Sequence, residues 1–183
     1  MTNPDDCRSG FRPTATPAPD HEAPVGPESD RRATSTLVIG YGSPIRGDDA
    51  IGPLAADTLA AGPLPAGVRV IARHVLTAEL VEDIAAADRV IFLDAAADGP
   101  PGEVRLRELR PDATTVSTMA HFLDPRELLA WCQTLHHHEP RAWLISAAGL
   151  SFGYAHYSLS PPAAAALDAL LAQVRALLDT DCP

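Results

Sequence analysis

From Thr36 onward the chain alternates short apolar runs with stretches whose apolar residues recur at helical spacing. "TLVIG", beginning at Thr36, is an apolar run closed by glycine, the pattern of a buried strand. "DAIGPLAADTLAA" sets Ile51, Leu54, Ala55 and Leu59 on one helical face. "GVRVIARHVL" is β-branched and alternating, a second strand, and "TAELVEDIAAA" follows as a helix with Thr77 at its N-cap and Leu80, Val81 and Ile84 on one side. "DRVIFLDAA" is the strongest strand signal and ends at Asp94. "GEVRLREL" reads as an edge strand, since alternating charges resist edge-to-edge association. "DPRELLAWCQTLHHH" is an amphipathic helix opened by aspartate and proline, "RAWLISAAG" another buried strand, and "SPPAAAALDALLAQVRALL" a long closing helix capped by Ser160. Strands alternating with helices predict an α/β fold: a three-layer sandwich with a mostly parallel twisted sheet of about five strands and helices on both faces.

The first 34 residues break this pattern. Six prolines, few large apolar groups and scattered charge cannot offset ordering entropy, so residues 1–34 are expected to be a disordered tail ahead of one domain over 35–180. The balance of 24 carboxylates against 14 Lys and Arg, net −10, argues against a nucleic-acid or anionic-membrane surface. No apolar run reaches the ~20 residues of a membrane helix. Cys7, Cys132 and Cys182 form neither a C-x-x-C pair nor an even framework, which fits a reducing cytoplasm.

In open α/β sheets ligands bind at the carboxyl ends of strands. Two segments with chemistry lie there: the turn "GYGSPIRGDDAIGP" and Asp94. The turn fails as a dinucleotide site. Gly40 and Gly42 fit the fingerprint, but Ile45 takes the place of the third glycine, and Asp48 and Asp49 would lie against phosphates. Carboxylates at strand ends suit a cation. Asp49, Asp94 and an imidazole from a loop over the same edge, for which His121 is best placed, form a mixed O/N set for a first-row divalent metal such as nickel or zinc. Of the adjacent pair, Asp48 is the one expected to serve only helix capping. His136, His137 and His138 are consecutive on a helix end and cannot all face one ion; His74 and His156 read as polar residues at a strand end and in a loop.

Four segments together resemble one family. "GYGSPIRGDDAIGP" is similar to the G-x-G-N-x-x-x-x-D-[DE]-x-x-G signature of the hydrogenase maturation proteases, and "VIFLDAA" to their strand ending in a metal-binding aspartate. "STMAHFLDPRELL" resembles their serine-rich stretch with a histidine ahead of a helix, and "AAGLSFGYAHYSLSPPAAAALDALLAQV" their closing segment. The resemblance runs from about Thr36 to Leu178. It implies a cytoplasmic, aspartyl-type endopeptidase that removes the C-terminal extension of a [NiFe] hydrogenase large-subunit precursor after nickel insertion. It also implies that Asp49, Asp94 and His121 are the metal contacts and catalytic residues. The nickel is carried by the substrate, with no permanent cofactor expected, and Gly40, Gly42, Ser43 and Asp48 form the substrate-binding turn.

The chain departs from the family at Ser43, usually asparagine, at Ala50, commonly glycine, and in the spacing of His121 from its serine-threonine pair. No carboxylate stands between Arg73 and Ala78, where some members carry one. Two rival readings share the scaffold: a non-catalytic nickel-sensing maturation chaperone, and a Rossmann-like nucleotide-binding module.

Overall fold

Residues 34–114 and 123–180 are described by the computed structural model of the protein. The N-terminal segment read as a tail and the candidate ligand His121 lie outside the described residues. The apolar runs form five strands, β1 (Thr36–Tyr41), β2 (Val68–Arg73), β3 (Arg89–Ala96), β4 (Val104–Leu109) and β5 (Arg141–Ala148). They build one sheet in the order β2-β1-β3-β5-β4, in which only the β4–β5 pair is antiparallel. The charged strand β4 is at the edge, as its alternation predicts.

Period-two alternation divides the strands between two cores. Leu37, Ile39, Phe92 and Leu144 face α2 (Leu80–Ala85) and α3 (Pro125–His136). Val38, Ile91, Leu93 and Ile145 face α1 (Ile51–Ala60) and α4 (Pro161–Asp179). The three layers follow, and β3 is central because both of its faces are apolar.

The helix boundaries differ from the sequence reading in three places. A 3-10 turn over Gly47–Ala50 precedes α1, and within α1 Leu54 lies at the margin of the buried face, 41% exposed, while Ile51, Ala55 and Leu59 are buried. α2 starts at Leu80, and the Thr77 hydroxyl donates to the Glu79 carboxylate (2.8 Å) instead of capping it. Ser160 holds the N-cap position of α4 without capping it, because its hydroxyl is used elsewhere. Only at α3 is the cap as read: the Asp124 side chain accepts from the Arg126 amide at 2.8 Å, with Pro125 in the first turn.

Two glycines set the distance between the first strand and the first helix. A Cβ on Gly40 would overlap the Gly52 carbonyl oxygen, and one on Gly52 would overlap the carbonyl oxygens of Tyr41 and Leu93. Helix α1 therefore lies with its backbone against β1 and β3, and its first turn is held at their carboxyl ends. Replacing Gly40 by alanine forces these backbones apart, at a cost of about 1–3 kcal/mol. Thermal melts by circular dichroism should show Gly40→Ala losing several degrees, and an unchanged melt would rule this contact out as the constraint on α1.

Candidate active site

The turn between β1 and α1 is built by the chain on itself. Gly42 has φ of +135°, and the space where a side chain would stand is filled by the Asp49 backbone. The Ser43 amide donates to Asp49 Oδ2 at 2.9 Å, and the Arg46 amide donates to the Ser43 carbonyl at 3.1 Å. The bond to Asp49 comes from the backbone, so serine in place of asparagine at position 43 leaves it intact. From the other side, the loop after β5 clamps the turn: Gly47 and Asp48 amides donate to the carbonyls of His156 (2.9 Å) and Ser151 (2.8 Å), and the His156 amide donates to Ile45 (3.1 Å).

The adjacent aspartates diverge. Asp48 is fully buried, and its carboxylate accepts from the amides of Leu150 (2.7 Å), Ser151 (2.9 Å) and Ser160 (2.6 Å) and from the Ser160 hydroxyl (2.7 Å). Burial alone would raise its pKa, but these bonds outweigh that and hold the carboxyl below its ordinary value. Asp48 thus staples the turn to the head of α4. It does not cap its own helix. The missing side chains of Gly40 and Gly42 make room for the protein's own backbone at Gly52 and Asp49. Asp49, partly exposed, points the other way.

Asp94 ends the buried run of β3 on the α2/α3 face, beside Tyr41. Its carboxyl accepts from the Ala95 amide at 2.7 Å. Burial pushes the Asp94 pKa up to about 7, the neighbouring Tyr41 hydroxyl and the Ala95 amide oppose the rise, and the charges of Asp49 and Asp124 add to it. The Tyr41 hydroxyl is held well above its ordinary value by burial and by Asp94. Asp94 stands where three clefts meet. One, of about 410 Å³, brings it together with Asp49 between the apolar walls of Val75, Leu76, Leu123 and Phe152. The others, of about 580 and 290 Å³, run toward β4.

The structure therefore brings Asp49 and Asp94 to one cleft, and a partly desolvated carboxyl near neutrality beside a second carboxylate can bind a cation or move a proton. Among the described residues no three His, Cys, Asp or Glu side chains form a group able to hold a metal ion. His74 lines the Asp49 cleft but is exposed. His156 meets the Ser151 hydroxyl at 3.2 Å. The histidine run is dispersed: His136 lies 3.4 Å from Glu82, His137 turns left-handed with φ of 51° at the helix end, and His138 meets the Ala87 carbonyl at 2.8 Å. Sequence reasoning missed Tyr41 and Asp124. Tyr41 shares the alternation of Leu37 and Ile39, which was the signal that it would stand beside Asp94; for Asp124 the capping role masked its proximity.

No family model and no curated protein sequence matches the chain. Solved structures do. The hydrogenase maturating endopeptidase HybD from E. coli is 25% identical, superposing with a TM-score of 0.68 over 79% of this chain and 92% of its own. The [NiFe] hydrogenase maturation protease HycI from Thermococcus kodakarensis is 26% identical, with a TM-score of 0.65 over 80% and 94%. A hydrogenase 2 maturation peptidase from a Thaumarchaeota archaeon is 25% identical, with a TM-score of 0.61 over 79% and 98%. The chain is thus similar in sequence and fold to the hydrogenase maturation proteases.

Two stability measurements separate the carboxylates of this site. Asp48→Asn removes the charge that four donors share and turns an NH2 group toward at least the Ser160 amide, and should cost about 2–4 kcal/mol; the adjacent Asp49→Asn should leave the melt nearly unchanged. For Asp94 the folded-state value of about 7 exceeds the ordinary 3.8, so the folded form holds the proton more tightly than the unfolded chain. Its ionisation therefore removes stability as pH rises from 3.8 to about 7. Melts across pH should show Asp94→Asn rising above the wild type toward alkaline pH, with the gap closing near pH ~4; a gap independent of pH would refute the burial of this charge.

Proposed function

We propose that this hydrolase is the endopeptidase that removes the C-terminal extension of a [NiFe] hydrogenase large-subunit precursor after nickel insertion. The observation that carries the reading is the meeting of Asp49 and Asp94, from two different strand ends, on one cleft of about 410 Å³ with apolar walls. Carboxylates so placed favour a cation, and the apolar walls suit a peptide that brings one. Asp49 and Asp94 are the first two contacts to the precursor's nickel and the catalytic carboxylates. His121 is the third on sequence order alone, and the chain returns to the described residues at Leu123, in the wall of the same cleft.

Two carboxylate oxygens and one imidazole leave coordination positions for groups of the precursor itself, so an empty precursor lacks the bridging charge. The cation supplies Lewis-acid polarisation of a neighbouring carbonyl. The chain's own residues hold that cation, orient the peptide along the cleft and, through the Ala95 amide, hold the Asp94 carboxyl in place. Among the described residues no helix is long and apolar enough to cross a membrane.

Incubation of the purified chain with nickel-loaded and nickel-free large-subunit precursor, followed by intact mass measurement, tests the reading. Nickel-dependent loss of the C-terminal extension is expected. Asp49→Asn and Asp94→Asn should each slow it about 100-fold or more. Binding of loaded precursor without shortening would overturn the peptidase assignment in favour of a nickel-sensing chaperone.

A further inference from the structure

The cleft shared by Asp49 and Asp94 does not end at the carboxylates. Arg46, Asp49, His74 and Val75 also line a second cleft, of about 340 Å³, beside the turn at Ser43, Pro44 and Ile45. Pro44 and His74 in turn line a third, of about 310 Å³, which reaches Leu54 on α1 and Tyr157 in the loop after β5. The three share walls, so they form one trough that leaves Asp94, passes Asp49 and runs out past the end of β2.

The outer part of the trough is apolar and fixed in place. Leu54 and Tyr157 are large side chains that the core leaves 41% and 77% exposed, and Pro44 is exposed in the same cleft. Proline sets the backbone at position 44, and the Arg46 amide closes the turn on the Ser43 carbonyl at 3.1 Å. Tyr157 follows His156, whose amide donates to the Ile45 carbonyl (3.1 Å) and whose carbonyl accepts from the Gly47 amide (2.9 Å), so loop and turn are tied together. The charged side chains of these two clefts include both signs, Arg46 and Asp49 in the second, Arg73 and Asp57 in the third. The outer trough therefore selects by apolar contact rather than by charge, and its preformed walls lower the ordering cost of binding.

We propose that the outer trough is the pocket for a bulky apolar side chain of the polypeptide substrate, received between Pro44, Leu54 and Tyr157. The identity of that polypeptide rests on the peptidase reading. Its course follows from continuity: the trough opens at its inner end onto the two carboxylates assigned to the cation that the substrate carries. β1 separates β3 from β2, so the trough crosses two strand spacings, about 10 Å, while an extended chain advances ~3.3 Å per residue. The apolar residue is therefore about three positions along the chain from the one lying over Asp94. A polypeptide that brings the cation without that residue binds more weakly, which gives the site a second criterion for its substrate.

Full chain labelled at its isoleucine and leucine methyls, titrated with Ac-Ala-Leu-Ala-Ala-NH2 and with Ac-Ala-Ser-Ala-Ala-NH2, tests the pocket. The Ile45 and Leu54 methyl resonances should move with the leucine peptide, at a half-saturation about tenfold lower than with the serine peptide. Leu54→Ser and Tyr157→Ser, on different elements, should each weaken the leucine peptide about tenfold, read at the Ile45 methyl. Leu135→Ser, at an exposed leucine of α3 that lines none of the three clefts, should not. Equal shifts from both peptides, no shift from either, or equal weakening in Leu135→Ser would overturn the assignment. With nickel-loaded precursor, Leu54→Ser and Tyr157→Ser should raise KM about tenfold and leave kcat nearly unchanged; an unchanged KM would overturn the substrate as occupant. A wild-type dimer that Leu54→Ser dissociates, seen by sedimentation, would give the trough to a second copy and overturn it likewise. If the wild type fails to shorten precursor, the peptidase reading falls, while the peptide titration still decides the pocket.

Discussion

Gly40 and Gly52 meet backbone to backbone, and the position of every group at the carboxyl edge follows from that contact. It lets α1 lie directly on β1 and β3, so the turn before the helix is short and its aspartates emerge level with the end of β3. Asp94 is then a neighbour in space of Asp49, with which it shares a cleft. A strand-to-helix junction of this kind commonly serves anions through its free amides. Here the amide of Ser43 is spent on Asp49 and that of Asp48 on Ser151, so the junction presents a carboxylate outward instead.

The electrostatics of the edge come from unequal solvation of three carboxylates. Asp48 is buried but fully bonded, and stays ionised as part of the scaffold. Asp49 keeps one backbone bond and its access to the cleft. Asp94, with fewer donors than its burial demands, holds a proton near neutrality. A bound cation would reverse the last of these, because it supplies the charge that burial withholds.

The layers, strand order and edge strand were legible because each rests on local alternation or on the charge of one strand. Asp49 and Asp94 were legible for a related reason: both follow apolar runs, and strand ends of a parallel sheet share one edge. What sequence could not resolve was direction at the scale of one residue. Asp48 was read apart from Asp49 as a local cap, but the donors it finds, on Leu150, Ser151 and Ser160, lie far along the chain. Ser160 reads as a cap because local chemistry favours it, yet a buried carboxylate distant in sequence claims its hydroxyl. Leu54 was placed inside by helical periodicity, but it stands at the edge of the face that Ile51, Ala55 and Leu59 bury. Tyr41 was legible in principle by its alternation with Ile39, but its place beside Asp94 depends on the pairing of β1 with β3.

The bonds from Asp48 to Ser160 span 112 positions of sequence, nearly the whole of the sheet-forming chain. Domains emerge from the ribosome N-terminal side first. The glycine-rich turn is therefore synthesised early and closed late: all five strands precede Ser160, but the buried carboxylate has no complete set of donors until the last helix docks. The staple thus ties the first turn of the fold to the head of its last helix, across four of the five strands.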